Sequence, residues 1–141
     1  MSHALAQPVI AMMGLTFAVW LIMYVRRLNY IVRNRIPAQD LATPGKRNAL
    51  IPEAVNLPAN NLQNLFEMPV LFYALCLLLI TLQESDGTYV NLAWSYVALR
   101  TAHSVIQCTI NLVTLRFAAY LLSCIVLATM LGRLAQRHFS D

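Results

Sequence analysis

The sequence predicts an all-α integral membrane protein, a four-helix bundle, and three observations lead to that class. The chain has 141 residues, the size of one domain, so residues 1–141 are expected to form a single membrane domain. It is 59% hydrophobic and only 11% charged, whereas soluble domains carry about 25% charged residues. Four apolar segments each approach the ~20 residues that a helix needs to cross a bilayer.

These segments predict helices over residues 8–30, 64–82, 89–112 and 115–134, with a loop over 31–63. The first run stays apolar to Val25 and has neither a basic start nor a small-residue cleavage site, so it is predicted to span the membrane rather than to act as a signal peptide. Several prolines and a glycine in the loop are expected to break long helices. The last two helices are joined so closely that they must form an antiparallel hairpin.

The distribution of positive charge predicts the topology. Six of the ten Lys and Arg residues lie between positions 26 and 47, whereas the turn QESDGT has none. The positive-inside rule therefore predicts a cytoplasmic loop 31–63, with both termini on the opposite side; Arg133 and Arg137 argue mildly against this. We interpret the net charge of +4 as a topology signal, and we expect no nucleic-acid partner. The compact chain, without a C-terminal retention signal, favours a bacterial inner membrane.

The three cysteines, Cys76, Cys108 and Cys124, all lie within apolar runs. Their number is odd, and no CxxC or Cys/His spacing typical of a metal site is present. We therefore predict three free thiols in the core and no metal site.

Polar residues inside the apolar segments are the candidates for function. An arginine at the centre of a membrane helix costs about 2.5–3.5 kcal/mol, so Arg100 is expected to face the bundle interior. His103 and Gln107 follow at i+3 and i+7 and share its helix face. Asn64 and Glu67 are spaced i, i+3 on the preceding predicted helix. A Glu67–Arg100 ion pair would satisfy both charges.

Arg116 and Tyr120 begin the last predicted helix at spacing i, i+4. A guanidinium beside the free N–H groups of a helix N-terminus is typical of an anion site. Structural alternatives stay open for each candidate. The Glu67–Arg100 pair would then be a purely structural ion pair, and His103 a packing histidine with its hydrogen bonds satisfied. Arg116 would be a topology anchor, Tyr120 an interfacial aromatic and Asn64 a helix cap.

Three short motifs in this order resemble the MAPEG family, the membrane-associated proteins of eicosanoid and glutathione metabolism. The motifs are NLFEMP, LRTAHSV and RFAAY. Their separations, 33 positions from Glu67 to Arg100 and 16 from Arg100 to Arg116, are similar to those of the microsomal prostaglandin E synthase branch. The resemblance extends from the first predicted helix to the last.

The resemblance implies a homotrimer of MAPEG-like four-helix bundles that binds glutathione between subunits in the cytoplasmic half of the membrane. Arg116 would be the catalytic residue beside the thiol, and Arg26 is an alternative to Arg27 as the basic residue that ends the first helix. By position in the motifs, the residues implied to bind glutathione are Arg27, Asn64, Glu67, Arg100, His103, Arg116 and Tyr120.

The function expected from this resemblance is a glutathione-dependent transferase or peroxidase that acts on lipophilic electrophiles. Three positions depart from the synthase branch: Gln63 replaces a basic residue, Gln107 a tyrosine and Phe117 a serine. These departures keep two alternatives open. One is a non-catalytic MAPEG-like protein that binds a lipid or a partner protein, and the other is an accessory subunit of a larger membrane complex.

Overall fold

The computed structural model describes residues 2–139, and within that range all regular structure is helical. The all-α class predicted above is therefore confirmed. A short 3₁₀ helix covers Ala38–Leu41. The α-helices are α1 (Ser2–Arg33), α2 (Pro44–Leu50), α3 (Glu53–Leu65), α4 (Met68–Thr81), α5 (Gly87–Cys108) and α6 (Val113–Phe139).

Three stretches of the described chain are long and apolar enough to cross a membrane: Ala4–Arg33, Glu53–Thr81 and Val113–Phe139. They correspond to α1, to α3 with α4, and to α6, and they support the prediction of an integral membrane protein. The third predicted span, which the structure describes as α5, is not among them, since a stripe of polar side chains lowers its apolar character.

The predicted loop 31–63 is wrong for most of its length, because it contains the 3₁₀ helix, α2 and α3. Its prolines start helices more than they break them. Pro44 is the first residue of α2, and Pro52 is the N-cap of α3. A proline there loses no hydrogen bond, since the first N–H groups of a helix have no acceptor within it. Pro58 lies inside α3, where it is buried.

The predicted helix 64–82 is divided in two. A proline inside a helix has no N–H to donate, and its ring meets the carbonyl four residues earlier. At Pro69 that carbonyl belongs to Leu65, the last residue of α3. Phe66 and Glu67 leave helical geometry, and α4 starts at Met68 with Pro69 in its first turn. Asn64 and Glu67 therefore lie on either side of a break rather than on one helix face.

The core lies between α1, the α3–α4 pair, α5 and the C-terminal half of α6. Phe72 of α4 stacks on Tyr96 of α5 with ring centroids 4.5 Å apart, and both side chains are fully buried. The last helix, α6, packs mainly against α5 as the expected antiparallel hairpin. The turn between them passes through Asn111, whose φ of 48° is a left-handed conformation that asparagine tolerates better than most residues.

At the end of the bundle away from the α5–α6 turn, ion pairs join the α4–α5 turn to the end of α6. Asp86 caps α5 by accepting a hydrogen bond from the Tyr89 N–H at 3.1 Å. Its carboxylate also receives two hydrogen bonds from Arg133, at 2.9 and 2.7 Å, and one from Arg137 at 2.8 Å. The positive charges near the C-terminus are therefore paired with the QESDGT turn, which weakens them as a topology signal.

Candidate functional site

The site is organised around Arg100, which is 0% exposed in the middle of α5. Its Nη2 donates a 2.9 Å hydrogen bond to the backbone carbonyl of Asn64, at the end of α3. Its Nε and Nη1 are also buried but have no hydrogen-bond partner. Its Cζ lies 5.3 Å from the centroid of the Tyr120 ring, within cation–π range. A fully buried guanidinium with two free N–H positions is suited to bind an anion.

His103 is held on both sides of its ring and is 3% exposed. Its Nδ1 lies 2.7 Å from the backbone oxygen of Arg116, and its Nε2 lies 2.9 Å from Oε1 of Gln107. The same Oε1 accepts a 3.1 Å hydrogen bond from Nδ2 of Asn64. This chain of hydrogen bonds joins the end of α3, the polar face of α5 and the start of α6.

The network fixes which nitrogen of His103 carries a proton. The carbonyl of Arg116 can only accept, so Nδ1 must be protonated to form the 2.7 Å contact. A neutral ring then needs a donor at Nε2, and the Gln107 side chain can supply one by turning its NH₂ group toward the ring. Asn64 would turn its oxygen toward Gln107 in the same way. The Asn64 and Gln107 amides can therefore hydrogen-bond to His103 whether its ring is neutral or protonated.

Arg116 and Tyr120 stand at the start of α6. The Arg116 guanidinium is half-buried and donates through Nη1 to Oδ1 of Asn111, in the preceding turn. The Tyr120 ring is half-buried, with its centroid 5.9 Å from the centroid of His103. The structure therefore brings five of the predicted residues together: Asn64, Arg100, His103, Arg116 and Tyr120.

Glu67 does not form the expected ion pair with Arg100. The ion pairs among the described residues all involve Glu84 or Asp86, so none joins Glu67 to Arg100. The break before α4 makes Glu67 the N-cap residue and leaves its side chain exposed at the edge of the site. The backbone carbonyl of Asn64 takes the place of the expected carboxylate. Glu67 is thus free to contact a ligand.

Arg27 does not join the site within one chain. Its Nη2 donates a 3.1 Å hydrogen bond to Oδ1 of Asn56, near the start of α3. The expectation that Arg27 binds glutathione stays a prediction, because the resemblance implies a site between subunits and the structure describes one chain.

Gln107 is the residue that the sequence reasoning undervalued. The sequence marks it only as a departure from the synthase branch, but it is 3% exposed and joins His103 to Asn64. The spacing in the sequence indicates this contact, since Gln107 lies one turn after His103 on the same helix face as Arg100.

An apolar groove of about 470 Å³ runs between α4 and α6. It reaches Met68, next to Glu67, and Cys124, one turn after Tyr120 on α6. The groove therefore ends close to the polar cluster and offers space for an apolar molecule beside it. Its remaining lining residues are Leu71, Ala74, Leu75, Leu78, Leu127, Ala128 and Leu131.

No curated protein and no solved structure matches the chain significantly. A family model described as the MAPEG family matches residues 5–136, which cover all six helices almost completely. The match supports the family and does not assign a branch within it. Because it extends over nearly the whole sequence, the chain belongs to the MAPEG family.

Proposed function

We propose that the protein is a glutathione-dependent membrane transferase or peroxidase that acts on lipophilic electrophiles. The observation that carries this proposal is the pair of buried N–H positions on Arg100 without a partner, beside Tyr120 and the His103 network. Leaving charged donors unsatisfied inside a protein is costly, so the position favours an anionic ligand. The MAPEG family includes glutathione transferases and peroxidases, and its members generally use glutathione.

The residues present fit glutathione, which carries two carboxylates, one ammonium group and a thiol. Arg100 has the free donors for a carboxylate. Glu67 is an exposed carboxylate at the edge of the site and is suited to the ammonium group. Asn64, His103 and Tyr120 surround the same space and offer further polar contacts. Arg27 stays a proposed contact for the other carboxylate in a site between subunits, since Asn56 occupies only its Nη2.

Bound glutathione would supply a thiol, whose thiolate is the nucleophile in conjugation and in peroxide reduction. Arg116 is the proposed catalytic residue, because a half-buried guanidinium at the start of α6 favours the thiolate over the thiol. Asn111 accepts a hydrogen bond from Arg116 and thereby orients the cation. The α4–α6 groove is the proposed site for the lipophilic substrate, which would enter from the bilayer.

The proposal also includes assembly as a homotrimer and a location in a bacterial inner membrane. Only a small part of α6 is buried within one chain, and its outer face exposes Leu121, Leu122 and Ile125. A second copy is a suitable partner for that face, and a homotrimer is the assembly that the family resemblance implies. We place the basic residues at the end of α1 in the cytoplasm of a bacterium, because positive residues favour the cytoplasmic side of the inner membrane.

Titration of the detergent-purified protein with glutathione tests the proposal. Wild type is expected to bind, and Glu67→Gln is expected to weaken binding about tenfold, since a hydrogen bond to a charged group contributes about 1.5–3 kcal/mol. Glu53→Gln is the matched control, because Glu53 is also exposed but lies at the start of α3. Absence of binding by an intact oligomer contradicts the proposal.

A non-catalytic, lipid-binding role is the second candidate. It is favoured by Phe117, which is 60% exposed and apolar at the position that follows Arg116, and by the groove between α4 and α6. Thiol conjugation assays separate the two functions. Equal rates for wild type and Arg116→Ala, both at the uncatalysed background, would favour binding alone. A stoichiometric second protein in a native purification would instead indicate an accessory subunit.

A further inference from the structure

A second groove, the α1–α4 groove, lies on the side of α4 opposite the α4–α6 groove. It has a volume of about 620 Å³ and is formed by α1, α3, α4 and the break between α3 and α4. Its α4 residues are Tyr73 and Leu77, which lie across the helix axis from Leu71 and Leu75 of the α4–α6 groove. The other lining residues are Val9, Met13, Thr16, Phe17, Trp20, Leu62 and Phe66. The glutathione chemistry proposed above gives this groove no role.

The lining of the α1–α4 groove is rich in aromatic side chains. Four of its nine residues are aromatic: Phe17, Trp20, Phe66 and Tyr73. Phe17 stacks on Trp20 with ring centroids 5.5 Å apart and an interplanar angle of 19°. The α4–α6 groove is lined instead by leucines, alanines, a methionine and a cysteine. Because aromatic rings gain from offset or edge contacts with other rings, the α1–α4 groove favours a flat ring over a flexible chain.

Two hydroxyl groups give the α1–α4 groove a polar point. Thr16 donates its single hydroxyl proton to the backbone carbonyl of Met12, with the two oxygens 3.1 Å apart. The 3.5 Å contact between Thr16 Oγ1 and the Tyr73 hydroxyl must therefore use the proton of Tyr73. Hydroxyl hydrogen bonds are most frequent at about 2.7–2.8 Å, so this contact is weak. The Tyr73 proton is thus available to an acceptor on a ligand.

The depth of Thr16 in the membrane indicates the kind of acceptor. At 1.5 Å per residue, α1 extends about 18 Å from Thr16 back to Ala4 and about 14 Å forward to Val25. Because the hydrocarbon core of a bilayer is about 30 Å thick, Thr16 lies near its middle. Water does not reach that depth, and a phospholipid has only acyl chain there, which leaves the Tyr73 proton without an acceptor. The favoured occupant is an uncharged, apolar molecule that carries its own acceptor.

We propose that the α1–α4 groove binds a flat, uncharged ring with a carbonyl oxygen, the chemistry of a membrane quinone. The carbonyl accepts the Tyr73 proton, and the ring packs against Phe17, Trp20 and Phe66. The groove volume of about 620 Å³ is within the roughly 300–1,000 Å³ of small-molecule sites. This site involves binding only, and it is independent of the proposed glutathione site.

Trp20 supplies a reporter for the test. The chain has two tryptophans, and Trp94 lies outside the groove, so Trp94→Phe leaves Trp20 as the single indole. The full-length variant is placed in phosphatidylcholine nanodiscs and titrated with decylubiquinone, whose ring quenches nearby indole fluorescence. Tyr73→Phe, which removes only a hydroxyl, is then added to this background. Tyr24→Phe is the matched control, because Tyr24 contacts Trp20 at 4.6 Å between centroids but does not line the groove.

Quenching of Trp20 by decylubiquinone is expected to be saturable. Tyr73→Phe should weaken binding about fivefold, because the net contribution of one hydrogen bond corresponds to a roughly two- to twelvefold change in affinity. Tyr24→Phe should change it less than twofold. Decylbenzene, which has a ring and the same tail but no carbonyl, should displace the quinone only weakly.

Three results overturn the proposal. Unsaturable quenching shows that decylubiquinone does not bind at Trp20. Equal affinities of the Tyr73→Phe and Tyr24→Phe variants, or full displacement by decylbenzene at equal concentration, show that the groove accepts any apolar chain. Trp20 fluorescence that changes when the oligomer is diluted in detergent, but not with the quinone, assigns the groove to a second copy of the chain.

Discussion

Nη2 of Arg100 on α5 is hydrogen-bonded at 2.9 Å to the backbone carbonyl of Asn64, at the end of α3. That carbonyl is available because the chain leaves helical geometry before Pro69. In an uninterrupted helix it would accept from the N–H of Met68, four residues later. A proline in the sequence thus shapes the site, and it leaves the remaining donors of Arg100 for a ligand.

If Arg100 is kept for a ligand rather than for stability, Arg100→Met should fold. Removal of a buried charge relieves its desolvation cost, and no opposite charge is left unpaired, since Arg100 contacts the uncharged carbonyl of Asn64. The carbonyl of Asn64 keeps its 3.4 Å contact with the N–H of Glu67. We expect a thermal unfolding midpoint within a few degrees of wild type in detergent. A collapse of the fold would show instead that Arg100 is mainly structural.

Gln107→Leu should destabilise the protein, in contrast to Arg100→Met. The substitution leaves His103 Nε2 and the Asn64 amide without their shared partner. Each buried polar group without a partner costs about 1–3 kcal/mol. Thermal or denaturant unfolding should therefore show a loss of about 2–5 kcal/mol. Gln63→Leu is the control, because Gln63 is exposed; similar losses in both variants would contradict the role of the network.

Asp86 predicts an acid dependence of stability. Desolvation acts to raise the pKa of Asp86, but hydrogen bonds from Arg133, the Tyr89 N–H and Arg137 outweigh it and hold the pKa at about 2, below the ordinary 3.8. A lowered pKa stabilises the fold above the ordinary value, and the contribution is lost as pH falls from about 4 toward 2.

Asp86→Asn should remove most of that acid dependence. Asparagine caps helices as well as aspartate, so the variant keeps the contact with Tyr89 and loses the ion pairs. We expect a loss of about 1 kcal/mol at neutral pH, since partly exposed ion pairs contribute little. The measurement is the unfolding midpoint between pH 7 and pH 2, with Asp40→Asn as control. An unchanged slope between pH 4 and pH 2 contradicts the account.

Arg116→Ala should reduce the chemical step more than binding. If Arg116 favours the thiolate, its loss lowers kcat for thiol conjugation by about 10²-fold, the low end of the effects measured for single groups that stabilise developing charge. Asn111→Gly should give a smaller loss, because it removes the group that orients Arg116 and still allows the left-handed φ of 48° in the turn. Single-turnover assays with a lipophilic aryl halide measure this. A rise of about 10²-fold in the Kd of glutathione, with kcat unchanged, would instead assign Arg116 to binding.

The sequence predicted the helical membrane class and five members of the polar cluster, because an arginine and a histidine at spacing i, i+3 in an apolar segment must face inward. It did not predict the break at Pro69, where packing allows the chain to leave the helix and expose Glu67. Nor did it predict α3, since Pro44 and Pro52 at helix starts have the same composition as a loop. The contacts of Arg27 with Asn56 depend on tertiary packing, which no local pattern contains.

Isothermal titration of the purified, oligomeric protein with glutathione tests the central claim most directly, with Arg100→Met as the comparison. The account predicts saturable binding to wild type and a loss of at least about tenfold in Arg100→Met, with its unfolding midpoint nearly unchanged. Equal binding by the two proteins, or no binding by wild type, would contradict the claim that the free donors of Arg100 hold glutathione.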